Sequence, residues 1–248
     1  MIDLLPSEIG VVAAAALMAV SFLASLITAA FGIGGGVVMI AVLASLVPPA
    51  ALIPVHAVVQ VGSNAGRALI MRAHIDWPVW SVFLIGTVVG IAIGGVIVVD
   101  LPPAVIQIGV GLFILWTIFF KPPGFLRHSA WLAGGVSSIL TMFFGATGPF
   151  VSAYLKTRGY DRMRQVAMQG ACMTVQHLLK VVAFGVLGFA FGPYVVLIAG
   201  LIAFGFLGTI IGRRVLMKID EARFKFALNA ILVVLSLRLI WAGAVSYL

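Results

Sequence analysis

Apolar residues occur in ten runs along this chain, and several runs are long enough to form a helix that crosses a bilayer, which needs roughly 20 residues. The predicted segments are 9–31, 37–47, 50–71, 78–99, 103–120, 129–144, 149–155, 165–187, 193–217 and 224–247. Segments 37–47 and 149–155 are too short to cross alone, and each follows a glycine-rich break, FGIGGG or FGATGP. Because broken backbone is tolerated at membrane depth only when it is buried or lines a wet cavity, the breaks are candidate functional positions.

The two halves of the chain repeat the same pattern of unusual residues. An offset of 113 residues brings the Phe-Gly of the first break onto that of the second, and Arg67 onto Lys180. A later pair of glycines recurs at an offset of 118, as if one loop had grown by five residues. We infer an internal duplication, with membrane repeats at 9–120 and 129–247 joined by a cytoplasmic linker at 121–128.

Charged loops predict how the repeats are oriented. Lysine and arginine cluster near 67–72, 121–127, 156–164 and 213–225. If each short segment forms a hairpin with its predecessor, every basic cluster falls on one face, which the positive-inside rule makes cytoplasmic. Both termini then lie outside. The sequence therefore predicts an all-α integral membrane protein with two inverted-topology repeats of about five helical segments, each beginning with a glycine-broken hairpin. Whether the short segments re-enter or belong to full spans is left open.

Composition supports a chain surrounded by lipid. Of 248 residues, 63% are hydrophobic and 9% are charged, against about 45–50% and about 25% in soluble domains. So few charges cannot cover a soluble surface, which excludes soluble enzymes, nucleic-acid binders and secreted disulfide scaffolds. The net charge of +8 is explained by the cytoplasmic loops. The single Cys172 cannot form an internal disulfide and is expected to be a packing residue.

Polar residues follow one face of the segment after each break. The first stripe consists of His56, Gln60, Ser63, Asn64 and Arg67. The matched stripe in the second half consists of Gln169, Met173, Gln176, His177 and Lys180. Because polar side chains are costly in lipid, both stripes are expected to face one cavity on a pseudo-twofold axis. As alternatives, the two bases could snorkel to the membrane surface, and the two histidines could be hydrogen-bonded packing residues.

The breaks and stripes together predict a site for a small anion. A glycine-rich stretch that opens a short helix supplies free N–H groups and the positive end of the helix dipole. All seven carboxylates fall at predicted loops or helix ends, which disfavours a cation transporter. The predicted substrate-binding residues are Gly34, Gly35, Gly36, Gln60, Ser63, Asn64, Arg67, Gly148, Pro149, Gln176, His177 and Lys180. His56 and His177 are the candidates for proton coupling. Neither a metal nor a cofactor is predicted.

The stretches FGIGGGVVMIAVLASLVPP and FFGATGPFVSAYLKTRGYDRMRQVA resemble the sulfite exporter TauE/SafE family, and the resemblance extends over about 10–245. It implies a small bacterial permease with two related halves that moves sulfite, organosulfonates or related sulfur-containing anions across the cytoplasmic membrane. The expected function is export by a secondary transporter, with alternating access around a midplane site. A passive small-anion channel, or a permease for a different oxyanion or a carboxylate, remains as an alternative.

An enzyme is disfavoured. Ser63 lies about two helical turns from His56, too far for a direct hydrogen bond, and neither Ser63 nor Cys172 belongs to a nucleophile motif. The expected partners are the anionic substrate and the lipid bilayer, without nucleic acid. A homodimer is left open beside a monomer.

Overall fold

The computed structural model describes residues 5–6, 8–31, 34–98, 101–215 and 221–246. Helix accounts for 86% of the structure, and the described residues contain no strand. The α-helices are α1 Val11–Phe31, α2 Gly35–Leu46, α3 Pro49–Ile70, α4 Trp77–Val98, α5 Pro103–Phe119, α6 Ala130–Phe144, α7 Gly148–Leu155, α8 Arg162–Val186, α9 Val195–Val215 and α10 Glu221–Val245. The all-α prediction is confirmed, and each predicted segment corresponds to a helix whose ends differ from the prediction by at most three residues.

Local sequence explains where several helices begin and end. Pro49 and Pro103 lie in the first turns of α3 and α5, where a missing N–H costs nothing. The Asp161 carboxylate caps α8 by accepting the N–H of Arg164 at 2.8 Å. Gly145, with a φ of 79°, ends α6 in a conformation that side chains disfavour.

Within the described part of the chain, four stretches are long and apolar enough to cross a membrane, namely Val11–Ala29, Trp77–Val98, Gly192–Ile211 and Phe226–Val245. Large apolar side chains lie exposed on these helices, including Val96 at 76% and Trp241 at 73%. Outward-facing apolar surface of this kind suits contact with lipid rather than water. The helices α3 and α8 are also long, but their polar stripes make them less apolar.

The helices of the first half pack against helices of the second. α1 packs on α9, α4 on α6, α3 on α8 and α5 on α10. Glycines allow two of these crossings, because a Cβ on Gly90 would lie 2.2 Å from the carbonyl oxygen of Gly135, and one on Gly208 would lie 2.1 Å from that of Phe22. Such close approach of backbones is typical of small residues between membrane helices. The crossings bring the two polar stripes, on α3 and α8, against each other.

Candidate functional site

A cavity of about 40 Å³ lies where the two broken hairpins meet the two polar stripes. It exceeds the roughly 10–15 Å³ that one water requires. The lining residues are Gly34, Gly36 and Val37 at the first break, Ala146, Gly148 and Pro149 at the second, His56, Gln60 and Asn64 on α3, Gln169, Met173 and His177 on α8, and Thr28 on α1. Both halves of the chain therefore contribute the same kinds of element to one site.

The first break forms the amino-terminal end of α2. Gly34 precedes this helix with a φ of 107° and no side-chain cap. The N–H of Val37 is the first to donate back to Gly34, at 3.1 Å, so helical geometry leaves the N–H groups of Gly35 and Gly36 without an acceptor inside the helix. A Cβ on Gly35 would lie 1.8 Å from the carbonyl oxygen of Ala24. Gly35 thus permits the contact with α1, while Gly34 and Gly36 line the cavity.

The second break is held by a buried lysine. Lys180 is fully buried, and its Nζ donates to Thr141 Oγ1 at 3.0 Å, to the Thr141 carbonyl at 3.3 Å and to the Gly145 carbonyl at 3.4 Å. These oxygens lie at the carboxyl end of α6, where the helix dipole favours a positive charge. Lys180 therefore fixes the backbone just before α7 and lies behind the cavity lining.

The polar stripe of α3 forms a chain of hydrogen bonds that ends at the cavity. Arg67 Nη2 donates to Asn64 Oδ1 at 2.7 Å. Asn64 Nδ2 in turn donates to the carbonyl oxygen of Gln60 at 2.8 Å and to its Oε1 at 3.2 Å. Since Gln60 and Asn64 line the cavity and Arg67 does not, the guanidinium acts on the site from behind.

Equivalent residues on α3 and α8 bind the two breaks. His56 Nε2 donates to the carbonyl oxygen of Gly36 at 3.1 Å, and Gln169 Nε2 donates to that of Gly148 at 3.1 Å. Positions 56 and 169 are related by the offset of 113 residues. The His56 and His177 rings meet edge to face, with centroids 5.7 Å apart.

A second network lies behind the break in the second half. Thr147 Oγ1 donates to Gln176 Oε1 at 3.0 Å, and Gln176 Nε2 donates to the hydroxyl oxygens of Ser137 and Ser138 at 2.8 and 2.9 Å. All four residues are fully buried. These bonds satisfy the Gln176 amide within the protein, so it holds α7 in position without lining the cavity.

Several buried polar atoms at the site have no hydrogen-bond partner. They are His56 Nδ1, His177 Nδ1 and Gln169 Oε1, all on lining residues, together with Arg67 Nη1. Leaving such atoms unpaired is costly, so their concentration around one cavity indicates that a ligand or water completes them.

The described carboxylates belong to Glu8, Asp76 and Asp161, and none of them lines the cavity. The remaining acids, predicted at loops or helix ends, lie outside the residues whose side chains are described: Asp3, Asp100, Asp220 and Glu221. Among the described residues, no group of three or more histidine, cysteine or acidic side chains is arranged to hold a metal ion. Among the described residues, Arg67, Lys180 and the two helix starts therefore all favour negative charge at the cavity.

The cavity unites eight of the residues predicted from the sequence: Gly34, Gly36, His56, Gln60, Asn64, Gly148, Pro149 and His177. The other five lie behind the lining: Gly35, Ser63, Arg67, Gln176 and Lys180. Ser63 Oγ lies 3.4 Å from Ser25 Oγ on α1. The lining residues beyond the predicted set are Thr28, Val37, Ala146, Gln169 and Met173. Of these, Gln169 and Met173 were detectable as members of the second stripe, and Thr28 as the polar residue that the offset relates to Thr141.

Another polar cluster joins the two halves outside the membrane-spanning helices. Asp76, just before α4, accepts hydrogen bonds from Tyr160 Oη at 2.8 Å and from Arg164 Nη2 at 2.9 Å. Burial raises the pKa of Asp76, but the hydrogen bond from Tyr160 and the charge of Arg164 outweigh burial and hold this pKa below its ordinary value. The cluster therefore contains a carboxylate that is charged at neutral pH.

Apolar spanning helices around a buried polar cavity define a multi-pass membrane protein. The sulfite exporter TauE/SafE family matches the chain over residues 17–239, and the chain belongs to this family. It is a family of membrane transporters for sulfite and sulfur-containing anions, which confirms the resemblance found in the sequence. No curated protein and no solved structure matches the chain.

Proposed function

We propose that this protein is a secondary transporter that exports sulfite or a small organosulfonate across the bacterial cytoplasmic membrane. The observation that carries the proposal is the cavity itself, which both broken hairpins line and no described carboxylate enters. Free N–H groups at a helix start bind oxyanions without a dedicated cationic side chain. Arg67 and Lys180 raise the local positive potential from behind the lining.

The proposed mechanism is alternating access, in which one repeat rocks against the other around the anion. It requires two inverted repeats, 9–120 and 129–247, with the basic loops and the linker 121–128 in the cytoplasm and both termini outside. Two close helix contacts at matched positions of the halves support the repeats. The offset of 113 relates Phe22 to Gly135, and the offset of 118 relates Gly90 to Gly208, so the crossings of α4 with α6 and of α1 with α9 use equivalent positions.

Each group has a distinct role in this proposal. The helix ends at Gly36 and Gly148 contact the oxyanion, and the side chains of Gln60, Asn64 and His177 surround it. Ser63 and Gln176 maintain the helix contacts around the site. The two bases offset the anion's charge from behind, so that binding does not require stripping water from an exposed ammonium.

The proposal is tested with purified protein in liposomes loaded with sulfite. We expect efflux of sulfite and of small sulfonates that exceeds the leak of protein-free vesicles, with a turnover that saturates. A pH gradient should drive uphill accumulation, whereas a passive channel would only dissipate the anion gradient. Transport of carboxylates without transport of any sulfur-containing anion would overturn the substrate assignment.

A matched pair of variants ties the flux to the cavity. Gly36→Ala adds a methyl group 3.5 Å from the Gln60 amide, an ordinary contact that the fold tolerates but that occupies the cavity wall. The control is Gly124→Ala, because nothing lies within 4 Å of a Cβ there. We expect the first variant to lose most sulfite flux and the second to retain it, with equal thermal stability in detergent.

A further inference from the structure

The hydrogen bond of His56 fixes where its ring carries a proton. The carbonyl oxygen of Gly36 can only accept, so His56 Nε2, 3.1 Å away, must be the donor. In the neutral ring the other nitrogen, Nδ1, is then an unprotonated acceptor. His56 is fully buried, and its Nδ1 has no partner among the described residues.

The two nitrogens of His56 point at different halves of the site. Nε2 binds the first break at Gly36, whereas Nδ1 lies beside the second, 3.3 Å from the position that a Cβ of Gly145 would occupy. His56 lines the cavity between these breaks, so Nδ1 is an unpaired acceptor on a lining residue. This unpaired acceptor stands in a site that otherwise favours negative charge.

Gln169 repeats the pattern on the other side. Its Nε2 donates to Gly148, so its unpartnered Oε1 is also fixed as an acceptor. An anion brings further acceptors and cannot satisfy either atom. One proton added at His56 Nδ1 turns an acceptor that repels the anion into a charged donor that binds it.

We propose that the cavity binds its anion together with one proton, which His56 Nδ1 takes from bulk water as the anion enters. The proposal rests on the anion site proposed above. The proton forms a bond to Nδ1, the ring becomes an imidazolium, and the bound anion offsets the new charge. Binding of the anion and binding of the proton must then strengthen each other by the same factor.

The surroundings of His56 make proton binding depend on anion binding. Two titratable groups on α8 act on it, the buried Lys180 side chain and the neighbouring His177 ring, and Arg67 lies on its own helix. The packed helices α1, α2 and α6 carry no titratable side chain among their described residues, and α7 carries only Tyr154. A positive charge on a fully buried ring is unfavourable without a counter-anion, so His56 holds the proton only while the anion is bound.

The test is titration calorimetry of the purified protein with methanesulfonate, a strong acid's anion that takes up no proton itself near neutral pH. Measuring the heat in buffers of different ionisation enthalpy gives the number of protons bound. We expect about one proton per anion at pH 7.5, and an affinity that weakens about tenfold for each unit of rising pH. Binding without proton uptake would overturn this inference and leave the anion site intact, whereas no binding of methanesulfonate or sulfite would overturn the site itself.

The variant His56→Gln tests whether His56 binds the proton. The equivalent position in the other half of the chain is already a glutamine. Gln169, at the equivalent position, already donates to its own break at the same 3.1 Å. We expect His56→Gln to bind methanesulfonate without proton uptake, with an affinity that is independent of pH and equals the wild-type value at alkaline pH.

Three results would contradict the assignment to His56. Proton uptake retained in His56→Gln would move the proton to His177 or Lys180. Loss of binding at every pH would show that His56 contributes more than its proton. Loss of uptake in His74→Gln, a change at an exposed residue outside the cavity, would show that the signal does not come from the site.

Discussion

Arg67 and Lys180 occupy equivalent positions in the two halves, yet the structure gives them different surroundings. Lys180 has three oxygen acceptors at the end of α6 and holds the second break in place. Arg67 has one acceptor, Asn64, and leaves its buried Nη1 without a partner. The comparison teaches that two basic residues at matched positions differ in role: Lys180 is bonded into the scaffold, while Arg67 keeps a buried donor that no described residue satisfies.

The two glycine-rich breaks also differ in their surroundings, although their glycines match in sequence. Gly35 and Gly148 are equivalent at the offset of 113, but a Cβ on Gly35 would lie 1.8 Å from the Ala24 carbonyl, and one on Gly148 would lie 3.6 Å from Gln169 Nε2. The first position has no room beside α1, whereas the second opens on the cavity. The same change from glycine to alanine should therefore impair folding at position 35 and transport at position 148.

The largest effect is expected from Gly35→Ala. Relieving a contact of 1.8 Å with backbone requires α1 and α2 to move apart, so we expect little folded protein by size-exclusion chromatography in detergent. Gly148→Ala should fold normally and lose most sulfite flux, because its methyl group narrows the lining. Equal folding yields for the two variants would contradict the difference between the breaks.

Lys180→Ala should come next. The change removes three hydrogen bonds to the oxygens of Thr141 and Gly145 and empties buried space, so we expect a loss of about 3 kcal/mol in the free energy of unfolding. Thermal unfolding followed by circular dichroism measures this loss, and Lys121→Ala, at an exposed lysine, is the control. A stability like that of the wild type would show that Lys180 is not a structural residue.

Arg67→Ala should affect transport more than stability. Asn64 keeps its bonds to Gln60, so we expect a loss of only about 1 kcal/mol in the free energy of unfolding. Flux of sulfite in liposomes should fall roughly tenfold, as expected for the loss of about 1.4 kcal/mol of electrostatic stabilisation of the anion. Wild-type flux in this variant would remove Arg67 from the proposed site.

The smallest effect concerns the contact between the halves at Asp76. Because folding lowers the pKa of this carboxyl, its contribution to stability is full above the ordinary pKa and disappears as pH falls through the lowered one. Asp76→Asn should cost less than about 1 kcal/mol at pH 7, as expected for a bridge to the partly exposed Arg164. Its melting temperature should approach that of the wild type in acid, and a constant difference from pH 7 to pH 3 would exclude this linkage.

Much of the architecture followed from periodicity. Apolar runs predicted each helix because length and hydropathy are local properties, and the stripe from His56 to Asn64 predicted the lining of α3 because residues three or four apart share a face. Spacing could not separate Gly35 from Gly148, since the difference depends on how closely α1 passes. Nor could it show that Lys180 has Thr141 as a partner, 39 residues away, because hydrogen bonds between helices depend on packing that a single segment does not encode.

The pairing of helices across the halves bears on how the chain is made. Gly86 and Gly90 on α4 lie against α6, and Gly111 on α5 lies against α10, so these surfaces meet their partners only after the second half has been synthesised. A nascent chain that has inserted α1 to α5 must hold these faces open in the membrane until then. Assembly of the first half is therefore completed by the second, and a break introduced in the linker at 121–128 should yield two fragments that need each other to mature.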